Sequence, residues 1–228
     1  MHQRFIYVYH IFSIYHYSIY ISIWFKYEKK KCRYFNFDDV ELLDFAGPYE
    51  VFSRTRTVKG TKSRLDDETA CFNTFTFSVN NKNIIATGNV KIVPNYHLGN
   101  LPKVNILLIP GGLGTRRLLD DEKFITWLSD YCNKVQMITS VCTGSLLLAK
   151  AGILKNKKCT THWGALDLLS SLDQSLKVIK NQKVVDDAII TSAGVSSGID
   201  MAFYIVSKIC GEIVAKDTAK YIEYKWQK

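Results

Sequence analysis

One cysteine stands where a strand-like segment gives way to a helix-like segment. Residues 135–141 are largely apolar and β-branched, which predicts a buried strand, and residues 145–151 are rich in leucine and alanine, which predicts a helix. Cys142 lies between them, with Gly144 two residues later. A sharp turn through small residues lifts the side chain above the sheet edge, as in a nucleophile elbow, and the following helix N-terminus favours a thiolate. The spacing therefore suggests a nucleophilic Cys142, although a cysteine packed as a small apolar residue would give the same pattern.

A glycine-rich turn follows another apolar run. Residues 104–109 read as a central parallel strand, and Pro110-Gly111-Gly112-Leu113-Gly114 comes directly after them. Such a turn exposes backbone N–H groups that can stabilise an oxyanion. It is not a phosphate-binding loop, because no Gly-Lys-Ser/Thr ending is present.

Two further side chains could take part in proton transfer. Asp44 is a carboxylate set among Leu43, Phe45 and Ala46; taken alone, it is more typical of a helix cap than of a site. His162 follows a short strand at residues 158–161, where it can either assist Cys142 or serve as a structural histidine.

Cysteine spacing and charge distribution argue against a metal-binding or nucleic-acid-binding protein. The chain has 228 residues, the size of one α/β domain, and its six cysteines show no CxxC pair or metal-type spacing. We therefore expect reduced thiols, a cytoplasmic protein and no metal site. The net charge is +9, of which residues 1–37 hold +5 through six basic residues and one acidic one. The rest shows no basic stripe interleaved with aromatic residues, so we expect no nucleic-acid partner.

The N-terminal segment has an atypical composition. Residues 5–25 are nearly uncharged and long enough to span a bilayer, but they are rich in tyrosine, histidine and serine and lack leucine and alanine. The segment also lacks the cleavage site of a signal peptide. Isoleucine, tyrosine, phenylalanine, lysine and asparagine are the products of AT-rich DNA, so we interpret residues 1–36 as a frameshifted or mis-started reading frame. A genuine membrane anchor at residues 5–25 is the second interpretation. The main domain is then expected at residues 37–228.

The remaining pattern alternates strands with helices. An apolar helical face around residues 42–52 is expected to bend or break at Pro48, residues 54–69 to form a loop, residues 199–209 a helix and residues 216–226 a final helix. This alternation predicts a mainly parallel sheet with helices on both faces, that is, a three-layer α/β sandwich. Ligands bind such sheets at the carboxyl ends of the strands, so the Asp44, Gly112 and Cys142 segments are expected to build one site.

Five motifs in order resemble the PfpI/ThiJ superfamily, and within it the isonitrile hydratase branch. They are Leu43-Asp44-Phe45-Ala46-Gly47-Pro48-Tyr49-Glu50-Val51, Ile109-Pro110-Gly111-Gly112-Leu113-Gly114, Ser140-Val141-Cys142-Thr143-Gly144-Ser145, Thr160-Thr161-His162-Trp163, and Thr191-Ser192-Ala193-Gly194 with Gly198-Ile199-Asp200. The resemblance implies a flavodoxin-like, class I glutamine amidotransferase-like fold. Residues 1–36 depart from it: the first strand expected there is replaced by Lys30-Lys31-Cys32-Arg33-Tyr34-Phe35-Asn36, which would weaken that strand.

The resemblance also implies roles for residues. Cys142 would be the nucleophile, Asp44 an acid or base beside the sulfur, and Thr143 the threonine that follows the cysteine. The Gly112 N–H would join the elbow N–H in an oxyanion hole, with Gly111 and His162 lining the substrate site. Protease-like members carry Cys-His at the elbow, so Cys142-Thr143 argues against a peptidase.

The expected function is therefore hydration of a small electrophile such as an isonitrile, without a cofactor. The second hypothesis for an enzyme is a glyoxalase- or deglycase-like activity, although superfamily members with that activity usually carry glutamate at the position of Asp44. The alternative to an enzyme is a ligand-binding domain, like those fused to AraC-type regulators, or a redox sensor. No helix-turn-helix segment is seen after residue 226, which makes a DNA-binding regulator a weaker expectation. The superfamily usually dimerises, so we expect a homodimer acting on a small molecule.

Overall fold

Eleven strands lie within residues 29–227, the part of the chain that the computed structural model describes. They are β1 Lys30–Phe35, β2 Phe72–Ser78, β3 Ile84–Ile85, β4 Lys91–Ile92, β5 Tyr96–His97, β6 Ile106–Ile109, β7 Met137–Val141, β8 Lys158–Cys159, β9 Lys177–Val178, β10 Val184–Asp187 and β11 Ile189–Ser192. Seven form the main sheet in the order β10-β11-β7-β6-β1-β2-β5. All neighbours in it are parallel except β10 and β11.

Helices cover both faces of this sheet. They are α1 Leu42–Arg54, α2 Thr115–Leu119, α3 Glu122–Cys132, α4 Gly144–Lys150, α5 Leu166–Leu172, α6 Ser197–Cys210 and α7 Glu212–Tyr221. Helices α1, α6 and α7 pack together on one face, and α2 to α5 on the other. The predicted three-layer sandwich with a mainly parallel sheet is confirmed. In the described part of the chain, no helix is long and apolar enough to cross a membrane.

Strand β1 lies in the middle of the sheet, between β2 and β6. Successive side chains of a strand face opposite sides, and here both sides are buried. Tyr34 packs on Tyr49 of α1, with ring centroids 5.1 Å apart, and Phe35 stacks on Phe124 of α3 at 4.8 Å. Arg33, 2% exposed, lies over the ring of Phe75.

The main sheet includes residues that precede the domain start expected at residue 37. The sheet takes in residues 30–35, and aromatic burial on both faces offsets the charged residues that interrupt the apolar pattern there. The frameshift and anchor interpretations fall mainly on residues 1–28, which lie outside the described residues.

Two helix predictions need correction. Helix α1 continues through Pro48 to Arg54, although the proline has no N–H to donate to the Asp44 carbonyl four residues before it. The final helix spans Glu212–Tyr221, not residues 216–226. It begins after Gly211, whose φ of 94° turns the chain, and Tyr224 beyond it folds back to stack on a phenylalanine of α6.

Candidate functional site

Cys142 occupies a strained turn at the carboxyl end of β7. Its φ is +54°, a region that residues other than glycine seldom adopt, and its N–H donates to the carbonyls of Ser192 and Ala193, each at 3.1 Å. Its carbonyl accepts hydrogen bonds from the hydroxyls of Thr161 at 2.8 Å and Ser145 at 3.1 Å. The turn is held from several sides, which maintains a conformation that would otherwise relax. This is the strand-elbow-helix geometry expected from the sequence.

Gly144 allows this turn to approach β6. A Cβ at Gly144 would lie 2.0 Å from the Ile109 carbonyl oxygen and 2.8 Å from that of Pro110. Because those contacts are backbone, neither partner can move aside cheaply. We expect Gly144→Ala to lower the free energy of unfolding by about 3 kcal/mol or more, measured by urea denaturation. Gly164→Ala is the control: its Cβ would lie 3.4 Å from the nearest atom, and a change under about 1 kcal/mol is expected. Equal losses in the two variants would contradict the argument.

The Asp44 side chain does not cap helix α1 and instead lies at the candidate site. It is 0% exposed, and its Oδ2 accepts the Gly111 N–H at 2.8 Å, which links α1 to the glycine turn after β6. The N-cap of α1 is Glu41, which makes no side-chain capping bond. The other oxygen, Oδ1, is buried without a conventional hydrogen bond, and the Cys142 thiol is close enough to interact with the carboxyl. A buried carboxyl beside a thiol is therefore the centre of the site.

Burial dominates the protonation of both groups. Desolvation raises the pKa of the Asp44 carboxyl to about 7, against the lowering effect of the Gly111 N–H. Desolvation also raises the pKa of the Cys142 thiol to about 12, and the Asp44 charge adds to this. The helix N-terminus was expected to favour a thiolate, and the backbone N–H groups of Thr143 and Val195 do act in that direction. They are outweighed because Cys142 is only 6% exposed and its thiol lies near the Asp44 carboxyl.

Thr143 connects the elbow to the glycine turn. Its Oγ1 accepts the Gly112 N–H at 3.0 Å and the Thr115 hydroxyl at 3.2 Å. A Cβ at Gly111 would lie 2.5 Å from the Thr143 nitrogen and 2.9 Å from Asp44 Oδ2, so glycine permits this close approach. The Asp44, Gly112 and Cys142 segments thus meet at one place. The N–H groups of both glycines already have side-chain acceptors, so Gly112 is not the open oxyanion donor that was expected.

Val195 is the functional residue that the sequence did not reveal. Its backbone N–H interacts with the Cys142 sulfur and lowers the thiol pKa. Its φ is +40°, which is rare for a β-branched residue. Lys183 braces the same turn: its carbonyl accepts the Ala193 N–H at 2.9 Å, and its ammonium binds Asp200 of α6 at 2.8 Å. Together with the Thr143 N–H, the Val195 N–H thus interacts with the Cys142 sulfur.

His162 packs beside the turn that follows β11. Its Nδ1 accepts the Gly164 N–H at 3.1 Å, so that nitrogen carries no proton. Its ring lies against Gly194, where a Cβ would come 2.3 Å from Cδ2. The structure therefore shows His162 as a support for the Gly194-Val195 turn, and its place in lining the substrate site stays a prediction.

A cavity of about 300 Å³ borders the glycine turn at Gly114 and is not lined by Cys142 or Asp44. Its lining comprises Asn36, Phe37, Asp38, Val79, Asn80, Lys82, Asn83, Ile84, Gly114, Arg117 and Leu118. Among the described residues, no group of three or more histidine, cysteine, aspartate or glutamate side chains is arranged to hold a metal ion.

Comparisons with known proteins find relatives that share this fold. Residues 30–208 match the DJ-1/PfpI family. An isonitrile hydratase of Pseudomonas putida is 29% identical over 187 residues, which cover 82% of this chain and 73% of that protein. A crystal structure of a ThiJ/PfpI family protein from Pseudomonas syringae superposes with a TM-score of 0.74 at 25% identity, covering 88% of this chain and 77% of that one.

Other relatives have a different role. The HTH-type transcriptional regulator GbdR of Pseudomonas aeruginosa is 25% identical over 150 residues. The match covers 66% of this chain but only 41% of the regulator. The same kind of domain thus occurs both in an enzyme and within a larger regulator.

Proposed function

The chain belongs to the DJ-1/PfpI family, and we propose that it is a cysteine-dependent hydratase that adds water to a small electrophile such as an isonitrile. The observation that carries this proposal is the buried Asp44 carboxyl beside the Cys142 thiol. A thiol that adds to a carbon electrophile must lose a proton, and the product of addition must gain one. One carboxyl of pKa about 7 can serve both steps.

The reaction begins from a pair that shares one proton. Above pH 7 the stable form is the Cys142 thiol beside the Asp44 carboxylate. As sulfur bonds to the terminal carbon of R–N≡C, the thiol proton passes to Asp44 and then to that carbon, giving the thioimidate Cys–S–CH=N–R. Water adds to the thioimidate carbon, and the nitrogen takes up a proton. Cleavage of the C–S bond transfers the hydroxyl proton of this adduct to sulfur and releases R–NH–CHO. The overall reaction is therefore R–N≡C + H₂O → R–NH–CHO.

The burial of the sulfur favours this kind of electrophile. Cys142 is only 6% exposed, so a substrate that reaches its sulfur must have a narrow reacting end. The isonitrile carbon is terminal, carries no substituent and lies at the end of a linear group. A peptide carbonyl carries two substituents on its carbon and would need a wider opening.

Turnover of cyclohexyl isocyanide tests the proposal. We expect the wild-type protein to consume the isocyanide and form the N-substituted formamide. The loss of isocyanide absorbance monitors the substrate, and mass spectrometry detects the product. Cys142→Ala is expected to lower kcat/KM by at least about 10³-fold, because it removes the nucleophile. Cys132→Ala, at a buried thiol on α3, is the control for loss of a cysteine.

Two outcomes would count against a hydratase. Wild-type protein that folds but turns over no isonitrile would restrict the resemblance to the fold. Methylglyoxal would then be the next substrate to assay, because glyoxalase-like chemistry also needs a thiol and an acid. Equal activity in wild type and Cys142→Ala would exclude the elbow as the reacting site.

A ligand-binding role is the second candidate, and the match to a domain of GbdR favours it. A sensor needs a small-molecule site but no turnover. Saturable binding of a ligand to Cys142→Ala, with no product from wild type, would support a sensor over an enzyme.

The assembly and cellular location are part of the same proposal. We propose a homodimer that works on a small molecule in the cytoplasm, without a cofactor. Light scattering of the full chain at micromolar concentration tests the dimer, and a monomeric mass would reject it.

A further inference from the structure

Two cysteines outside the candidate site interact directly with each other. Cys71 precedes β2, and Cys210 is the last residue of α6. Their side chains lie close enough to interact with each other, although 139 positions separate them in the sequence. Both are free thiols in the structure. Nothing in the hydratase proposal uses either of them.

The elements that carry the two thiols are fastened to each other. Arg64, in the segment that leads to Cys71, binds Asp217 of α7 at 2.7 Å. Its guanidinium also lies 4.8 Å from the ring centre of Tyr221 at the end of that helix. Helix α7 follows Cys210 after a single glycine. The two sulfur-bearing segments are therefore held together by an ion pair and a cation–π contact, independently of the thiols.

The surroundings make the pair more acidic than an isolated buried thiol. A hydrogen bond from Cys210, together with the nearby charges of Arg56 and Arg64, lowers the pKa of Cys71. The same hydrogen bond and burial raise the pKa of Cys210. The two opposite directions favour a Cys71 thiolate beside a Cys210 thiol. One thiolate beside one thiol is the form that reacts with oxidants.

Burial dominates the pKa of the other buried cysteines, Cys32 included, although the Arg33 charge acts to lower the pKa of Cys32. Burial alone raises the pKa of Cys132 to about 12 and that of Cys159 to about 11. Burial likewise raises the pKa of Cys32, which is 1% exposed. Cys210, by contrast, is partly exposed, so a small oxidant can approach the pair from its side.

We propose that Cys71 and Cys210 are a peroxide-reactive dithiol that closes to an intramolecular disulfide. Hydrogen peroxide oxidises one thiolate to a sulfenic acid and releases one water after protonation. The partner sulfur then attacks the sulfenic sulfur, the S–O bond breaks, and the second water leaves. Two thiols and one H₂O₂ thus give one disulfide and two H₂O. The crosslink would join the start of β2 to the end of α6.

Alkylation mapping of the full chain tests this site. The protein is treated with one equivalent of hydrogen peroxide, blocked with N-ethylmaleimide and digested for mass spectrometry. We expect alkylation of Cys71 and Cys210 to fall together, and a peptide joining them to appear and to vanish after reduction. Cys132 and Cys159 are expected to stay fully alkylatable once the protein is denatured.

Three variants make the result specific. Cys210→Ser, at a partly exposed position, is expected to abolish the crosslinked peptide, whereas Cys159→Ser is expected to retain it. Cys142→Ser is also expected to retain it, because the pair reacts without the elbow thiol. Oxidation confined to Cys142 would overturn the proposal. So would a crosslink from Cys71 to Cys32, or a Cys71–Cys210 crosslink lost in Cys142→Ser.

Discussion

Replacement of Asp44 with asparagine is expected to lower kcat/KM for isonitrile hydration by about 10² to 10⁴-fold at pH 8. Asparagine retains an oxygen that can accept the Gly111 N–H, so the link between α1 and the glycine turn is kept. It cannot take the thiol proton or return it. The loss should therefore appear in turnover with little change in fold, which circular dichroism checks.

The pH profile separates proton transfer from a structural role. The active form of the wild-type pair carries one proton, shared between Cys142 and Asp44. That form is gained as the pH rises through about 7, and it is lost only near 12. Wild-type kcat/KM should rise about tenfold per pH unit below 7 and then level off.

In Asp44→Asn the inflection near pH 7 should disappear. The small residual rate should keep rising with pH, because burial still holds the thiol pKa high. A variant that kept the inflection would show that another group sets it and that Asp44 is only structural. This test compares the shapes of the two pH profiles, so it does not depend on how much activity the variant retains.

Much of the fold was predictable because the strands around the site are buried on both faces. Strand β6 is continuously apolar, β7 and β11 combine apolar residues with buried threonine and serine, and the helices between them keep a helical period. Small residues at the ends of those runs identified the elbow and the glycine turn. Strand β1 was harder, since Arg33 and the lysines interrupt its pattern. Its burial comes from aromatic partners on α1 and α3, which are distant in the sequence.

The protonation of the Cys142 thiol could not be read from the sequence, whereas a raised pKa for the Asp44 carboxyl was expected from its burial beside the sulfur. A helix N-terminus at Cys142 is a local feature and predicts a thiolate. The depth of burial and the direction of the Asp44 carboxyl depend on how α1 packs over the glycine turn, and both raise the thiol pKa. The N–H of Val195 was missed for a related reason. A valine gives no sign that it will adopt a positive φ, and only its place beside the elbow imposes one.

Burial of Asp44 should also make the protein less stable as the pH rises. The ordinary pKa of this carboxyl is 3.8, and in the folded protein it is raised to about 7. Between these values the folded state holds a proton that the unfolded state has released. The contribution of Asp44 is therefore full below about pH 4, and it declines by about 1.4 kcal/mol per pH unit until about pH 7. The total decline is at most about 4 kcal/mol.

The difference between wild type and Asp44→Asn isolates this contribution. Urea unfolding at pH 5 and at pH 7.5 gives the free energy of unfolding of both proteins. Asp44→Asn is expected to gain about 3 kcal/mol relative to wild type over this interval, because asparagine has no charge to bury. Asp130→Asn, at an exposed carboxylate on α3, controls for loss of an acidic residue without loss of a buried one. A constant difference between wild type and Asp44→Asn across the interval would mean that Asp44 is already ionised at pH 5. The Cys142 thiol would then face a permanent carboxylate, and the rise in turnover expected near pH 7 would have to come from another group.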